Sequence, residues 1–511
     1  MRTLRYIPLG FVLAVLLASA WLVVSAPPYV WVDTLFDDTY YYLGVARHLS
    51  LGEGSMFTSP LRTNGYQPLW LLILTSVSLL VGADRTLLAA GAILVVLLAV
   101  LSFVWISWRQ ERQHWPAALT AVCFPMVMLQ GMETVLIPPL ALLYFRTNGL
   151  KRGGLASLIF LARLDAIGLI AGREIYEIAV KRRFDLRAVA VLAITVLIYA
   201  SLNFYLFGTP VPISGLAKSI GNVAGENWPT GLRLLISATP VLLLLALIWI
   251  SERRFRNPLP LFAATFALGC SATYYGILSG WPTWEWYRWP TALLFYFALI
   301  ELIHCSSALT RKAGACFLAV MFLMKPFESL ERFKAPSERN QSWGRADARM
   351  AAIINSSPLR RATFAMGDRA GSLGYLLDDR FQLIQTEGLV GNMAFLNALR
   401  RNQGAKFLDD AKTDYLVVDR EKYWLDQGTV AVPEPVQGLS SRTGVMLLCF
   451  PANAEIKSFE LRPARKMFRY SLRVQCSAKL TAFFNQRLGK YGAIAASSLY
   501  DTSPGFFASL S

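Results

Sequence analysis

The stretch Phe36-Asp37-Asp38-Thr39-Tyr40-Tyr41-Tyr42-Leu43-Gly44-Val45-Ala46-Arg47 sets two adjacent carboxylates in front of an aromatic helix. Neighbouring carboxylates repel, so one is readily held at a raised pKa or shared with a cation. That suits a general base, which takes a proton from an attacking hydroxyl. The plainer reading is a helix cap, in which Asp accepts backbone N–H bonds and no chemistry is implied. No CxxC, zinc-ligand spacing, P-loop or GxGxxG pattern accompanies the pair. With three histidines in 511 residues, a histidine metal cluster is ruled out.

Composition says what must hold that pair. The chain is 55% hydrophobic and 16% charged, with a mean hydropathy of +0.42, too apolar for an ordinary soluble enzyme. Gly10–Ala26, Thr86–Trp108, Ala188–Leu206, Leu234–Ile250 and Pro258–Gly280 carry no charge. Each is close to the roughly 20 residues that cross a bilayer core of about 30 Å, and none shows the polar stripe of a soluble helix. Arg2 and Arg5, followed by Tyr6–Ala20 and Ala26-Pro27-Pro28, also fit a signal peptide. The many later spans favour an uncleaved first helix instead.

The net charge of +17 fits basic cytoplasmic loops better than nucleic-acid contact. Leu69–Val81, about 13 apolar residues and near 20 Å long, is too short to span and is expected along the outer interface. With the amino terminus inside, every inner loop is then basic: Arg109/Arg112, Arg146/Lys151/Arg152, Lys181/Arg182/Arg183/Arg187, Arg253/Arg254/Arg256 and Arg311/Lys312. The outer loops, Pro27–Arg85, Gln130–Glu133, Arg163–Asp165, Gly208–Thr230 and Ser279–Trp289, are poor in Lys and Arg. This predicts about eleven crossings. Gly154–Val180 reads as a broken hairpin whose charged tip faces a wet cavity, and Met321–Phe327, with Lys325-Pro326, ends the last helix.

The expected architecture is an α-helical polytopic membrane domain, residues 1–327 with first outer loop 27–85, followed by an extracytoplasmic α/β domain, residues 328–511. In the latter, strands are predicted at Ala362–Met366, Phe381–Ile384, Tyr415–Val418, Val445–Phe450 and Met467–Val474, with helices at Ala346–Asn355 and Met393–Arg401. Cys449 and Cys476 are its only cysteines, and an oxidising compartment would allow a disulfide. Cys123, Cys270, Cys305 and Cys316 fall in apolar spans as packing residues.

The run "DDTYYYLGVARHLSLGEGSMFTSPLRTNGYQPLW" (Asp37–Trp70) resembles the first outer loop of the GT-C superfamily of membrane glycosyltransferases. "QGMETVL" (Gln130–Leu136), "LARLDAIGL" (Leu161–Leu169, with Leu164 for the usual Pro) and "FGTPVPISGLAKS" (Phe207–Ser219) are similar to segments of a subgroup that includes arabinofuranosyltransferases. "GDRAGSLGYLLDDRFQLIQTEGLVGN" resembles that subgroup's outer domain. The resemblance implies an inverting transfer of a sugar from a polyprenyl-phosphate donor to a glycan, lipid or protein hydroxyl; the subgroup points to a pentofuranose, while hexosyltransferases share the architecture. It would occur on the outer face of the plasma (inner) membrane, with no nucleic acid involved. It implies Asp37 as base, with Asp38 orienting Asp37, a cation or the acceptor.

Lys218, Arg288 and Arg163 would meet the leaving phosphate, although each also fits a snorkelling interfacial cation, and Arg163 a partner of Asp165. Glu133 could hold a sugar hydroxyl or simply favour a helix N-terminus. Asn64, Tyr66 and Gln67 could line the same cavity, though Asn64-Gly65 is also a turn signal. Trp284 could stack on a sugar or serve in an aromatic belt. A divalent cation would find hard oxygen ligands in Asp37, Asp38 and Glu133. The rival classes are a lipid-linked sugar flippase, which would show internal repeats, and a non-catalytic cell-envelope assembly protein.

Overall fold

The structure, a computed structural model, describes residues 6–58, 60–220, 224–225, 227–316, 318, 343–367, 369–419, 424–426, 429–434, 446–451, 455–459 and 465–477. Met321–Phe327 and the predicted boundary at 327/328 lie outside the described residues.

The charge-free blocks are all helical. Ile7–Ser25, Arg85–Glu111, Leu186–Phe207 and Pro258–Leu278 are each long and apolar enough to cross a membrane. Trp228–Ser237 and Thr239–Glu252 would make a fifth span if taken together, bent by 49°. Pro240, in the first turn of the second helix, accounts for the break, because it cannot donate back into the preceding turn. Asp84 Oδ1 accepts the Leu87 N–H at 2.8 Å and so caps the Arg85–Glu111 helix. In the most hydropathic stretch of Leu186–Phe207 only 6% of residues are buried. Leu197, Leu202 and Phe204 point outward, an apolar surface that calls for lipid.

The other expected crossings are shorter. Trp115–Cys123 has 9 residues, Ile137–Tyr144 has 8 and Trp289–His304 has 16, and all three carry Pro in their first turn. They are almost wholly buried in the bundle, so packing against neighbours replaces length as their support. Pro68–Leu80, with 13 residues, is the short apolar helix expected at the interface. The broken hairpin is present as Gly149–Ala162 and Ile167–Lys181, joined by the tight turn Leu164–Ala166.

The two ends of the bundle differ in charge chemistry. The 27-residue Arg85–Glu111 helix is about 40 Å long. At its start, Arg85 donates to Asp379 at 2.5 Å. At its end, Glu111 gathers Arg146 at 2.5 Å, His304 at 3.5 Å and Arg256 at 3.8 Å. Loops assigned to one side by charge therefore do share an end.

After the bundle come the helix Trp343–Asn355 and strands β1 (Ala362–Met366), β2 (Phe381–Gln385), β3 (Tyr415–Asp419), β4 (Trp424–Asp426), β5 (Thr429–Glu434), β6 (Met446–Pro451), β7 (Glu455–Phe459) and β8 (Arg465–Arg469). One sheet runs β2-β1-β3-β8-β7, the other β4-β5-β6. β1 lies parallel to β2 and β3, and the helix Ala370–Leu376 forms the β1-to-β2 crossover. Beyond the five predicted strands, β4, β5 and β7 are additional. β4 has three residues, β5 contains Pro433 and β7 carries Glu455 and Lys457, so each hides its strand pattern. β8 stops at Arg469, and Tyr470–Leu472 turns as a 3-10 helix, where a strand to Val474 was expected. Cys449 and Cys476 form a disulfide.

Candidate active site

All five predicted outer loops meet at one cavity of about 690 Å³. Asp38 and Gln67 come from the first, Glu133 from the second, Arg163 and Asp165 from the hairpin tip, Lys218 from the fourth and Tyr287 from the fifth. One wall is apolar: Phe160 of the Gly149–Ala162 helix, and Val196, Tyr199 and Ala200 of the outward-facing Leu186–Phe207 helix. A π-helical turn at Tyr274–Leu278 contributes Tyr274, Tyr275 and Leu278, an irregularity that often marks functional positions. A smaller chamber of about 120 Å³ shares Asp38, Tyr41, Lys218, Tyr287 and Leu389 with it.

Main-chain and ring contacts hold these loops together. The Phe36 N–H donates to the Gln130 carbonyl at 3.2 Å, and the Gly280 N–H to the Lys218 carbonyl at 3.1 Å. Phe36 packs on Trp286 with ring centroids 4.7 Å apart. Asn227 Nδ2 donates to the carbonyls of Tyr275, Ser279 and Trp281, which fixes the tryptophan-rich loop.

Asp37 and Asp38 face different surroundings. Successive helix positions point about 100° apart, and Asp37 turns towards the Ala370–Leu376 crossover helix. Its Oδ1 accepts the Ser372 N–H at 2.7 Å and its Oδ2 the Gly371 N–H at 3.0 Å. Burial pushes the Asp37 carboxyl above its ordinary value, against the pull of those amides. A side chain on Gly371 would lie 2.3 Å from the Asp37 carbonyl oxygen, so this contact requires glycine. Of the two cavities Asp37 borders the smaller chamber alone, whereas Asp38 lines both.

Arg163 is buried and fully committed. Nη1 donates to Glu133 at 2.7 Å, while Nε and Nη2 fork onto Asp165 at 2.7 and 3.2 Å. Its guanidinium lies 5.1 Å from the Tyr287 ring centroid. Lys218 Nζ donates to the Tyr287 hydroxyl at 2.8 Å and lines both cavities. Gln67 Oε1 accepts the Leu164 N–H at 3.0 Å, which locks the hairpin tip to the first loop.

No family model and no curated protein matches the sequence. Among solved structures, ArnT from Cupriavidus metallidurans bound to undecaprenyl phosphate is 11% identical, with 85% of this chain and 97% of that one covered and a TM-score of 0.48. The same protein in its apo state is 12% identical, with coverages of 92% and 99% and a TM-score of 0.48. The Archaeoglobus fulgidus oligosaccharyltransferase tethered with an acceptor peptide is 13% identical, with coverages of 80% and 69% and a TM-score of 0.41.

Other expected site residues lie elsewhere. Arg288 pairs with Glu285 at 2.7 Å and lines neither cavity. Asn64 sits behind the wall: its Nδ2 donates to Asn203 at 2.8 Å and the Val211 carbonyl at 3.2 Å, and its Oδ1 accepts the Ile213 N–H at 2.9 Å. With both ends of its amide engaged, it braces the loop and does not face a substrate. The Tyr66 hydroxyl shares a 2.8 Å hydrogen bond with Ser55, also off the cavity. Trp284 lines the smaller chamber, its ring nearly parallel to Trp286 with centroids 5.8 Å apart. Among the described residues, Asp37, Asp38 and Glu133 do not come together as a metal-ligand group, and Glu133 is held by Arg163. Arg369 and Glu387, which also line the chamber, fall in the tail segment that resembles the subgroup's outer domain, but with more than three hundred residues between them and the acidic pair nothing local assigned either to the site.

Proposed function

We propose that the protein is a membrane glycosyltransferase of the GT-C type, with about eleven crossings and its site on the extracytoplasmic face. It moves a sugar, a pentofuranose by its sequence resemblance, from a polyprenyl-phosphate donor to an acceptor hydroxyl. The observation that supports this most is the convergence of five charge-assigned outer loops on one cavity. That cavity is polar at one side and apolar where the outward-facing Leu186–Phe207 helix closes it. Such a shape suits a donor with a charged head and a lipid tail reaching in from the bilayer.

Asp38 is the carboxylate placed to act as base. The acceptor oxygen attacks the anomeric carbon, its proton passes to Asp38, and the bond from that carbon to the phosphate oxygen breaks. The phosphate departs with the electron pair beside Lys218, whose charge offsets the one that develops. Attack from the face opposite the leaving group inverts the centre. Arg163, already neutralised by two carboxylates, positions Glu133 and Tyr287. Asp37 holds the soluble domain in place.

The test is transfer of radiolabelled sugar from a panel of polyprenyl-phosphate donors by the purified full chain. Asp38→Asn is expected to lower turnover by about 10²–10⁴-fold, the usual contribution of a general base. Asp37→Asn should reduce it less and in step with loss of domain docking. Normal turnover by Asp38→Asn with a dead, well-folded Asp37→Asn would return the base role to Asp37. No transfer from any donor would end the glycosyltransferase reading.

A further inference from the structure

At the end of the bundle away from the cavity, two helices close on the same pattern, Trp-x-x-Glu-Arg. Trp108 to Arg112 ends the Arg85–Glu111 helix, and Trp249 to Arg253 ends Thr239–Glu252. In each, the Trp is exposed and the Glu turns back onto the protein. Glu111 holds Arg146 at 2.5 Å, and Glu252 accepts the Ser306 and Ser307 N–H groups at 2.8 and 3.1 Å. The Arg then takes the left-handed conformation, at φ 57° for Arg112 and 59° for Arg253. Ile167–Lys181 ends in the same way without the Trp, on Arg182 at φ 53°.

Left-handed helix ends ordinarily carry glycine. Leu186–Phe207, which ends on the cavity side, does so with Gly208 at φ 74°. Three arginines in that position at the opposite end need another reason. The helix dipole does not supply it, because a cation anywhere in the last turn answers the dipole, and Arg109 and Lys181 already stand there in two of the three helices. The surface around them is of one sign. In the five basic loops every Lys and Arg is exposed except Arg152, while the carboxylates at this end, Glu111, Glu174, Glu177, Asp185, Glu252 and Glu301, are buried or half-buried. A groove of about 190 Å³ nearby sets Glu111 and Glu301 against Arg146 and Arg256. It has no excess charge and is not part of the surface.

We propose that this end of the bundle binds the headgroups of anionic phospholipids, with Arg112, Arg182 and Arg253 as the phosphate contacts. Exposed Trp side chains settle at the boundary between headgroups and acyl chains. Arg112 and Arg253 each lie four residues beyond their Trp, about 6 Å further along the helix axis, where lipid phosphates lie. A guanidinium forks onto phosphate oxygens, and an anionic leaflet adds attraction over the whole basic surface. Glycine would relax the backbone at all three positions and lose that contact. The inference rests on the helices crossing a bilayer and is independent of sugar transfer.

The test offers the purified full chain, in neutral detergent, an equimolar mixture of phosphatidylglycerol and phosphatidylcholine, and counts retained lipid by native mass spectrometry. The wild type is expected to favour phosphatidylglycerol. Each cation near an anionic surface contributes about fivefold, so the triple variant Arg112→Gly, Arg182→Gly, Arg253→Gly should lower that preference by about tenfold or more. The matching triple Arg→Lys variant keeps the charge and should keep most of the preference. Because glycine suits the left-handed position, the thermal midpoint of the glycine variant in detergent alone should equal or exceed that of the wild type. Equal retention of the two lipids by the wild type, or an unchanged preference in the glycine variant, would overturn the proposal. So would a lowered midpoint of the glycine variant in detergent alone, which would assign the arginines to folding. Abolition of the preference by millimolar inorganic phosphate would give the surface to a soluble phosphate compound and overturn the lipid assignment.

Discussion

Arg163 is a buried cation held between two carboxylates, Glu133 and Asp165. It is 3% exposed and Glu133 is 2% exposed, so each is a charge taken out of water whose partner must stay. Removing one member of a buried pair typically costs about 3–5 kcal/mol, because the other charge is stranded. Arg163→Met is therefore expected to lower the thermal midpoint of the purified protein sharply. Adding Glu133→Gln to Arg163→Met should recover part of that loss by removing the stranded carboxylate. A double variant no more stable than the single one, in the same melting experiment, would mean that the pairing with Asp165 dominates. Arg163→Lys should rescue poorly, since an ammonium cannot fork onto Asp165 and still reach Glu133.

At the scale of elements, the first outer loop and the 386–391 turn meet at Gly65. A Cβ there would lie 1.8 Å from the Leu389 carbonyl oxygen, which is backbone and cannot swing away. Gly65→Ala is expected to push the turn off the loop, widen the cavity mouth and cost at least the roughly 1–3 kcal/mol of an overpacked core. The checks are a lowered thermal midpoint and faster amide exchange over residues 386–391. The sequence offered Asn64-Gly65 only as a turn, since nothing local shows which backbone will press against it. What could be read locally was read: the charge-free blocks are helices because lack of charge and length suffice to define them, and the Arg163–Asp165 interruption breaks its hairpin because charges cannot stay in hydrocarbon. What depends on long-range partners was not. The acidic pair is visible as a pair, but which of the two turns away from the larger cavity depends on Gly371 and Ser372, whose N–H groups hold Asp37. Arg288 is the exception: its partner Glu285 lies only three residues before it, near enough to be read from the sequence.

At the scale of the whole molecule, the α/β unit borders the cavities through Arg369, Glu387, Leu389 and Val390, and its contact with the bundle is electrostatic at the rim. Arg47 forks onto Asp379 at 2.8 Å through both nitrogens, Arg85 adds a contact at 2.5 Å, and Thr58 exchanges hydrogen bonds with the Leu383 main chain at 2.9 and 3.1 Å. Although partial burial works to raise it, the hydrogen bond from Arg47 and the charge of Arg85 hold the Asp379 carboxyl below the usual range. A depressed carboxylate stabilises the docked state fully above its undocked value, near pH 4, and loses that contribution as pH falls through its lower docked value. Exposed ion pairs contribute up to about 1 kcal/mol, so Asp379→Asn should speed amide exchange over residues 370–385 about fivefold at pH 7. The difference between wild type and variant should persist down to about pH 4, fade below it, and shrink in high salt. Exchange that is equal in the two proteins at pH 7 would show that Asp37 and the Thr58 contacts hold the domain alone, and that the Arg47–Asp379–Arg85 rim adds nothing to the integrity of the site.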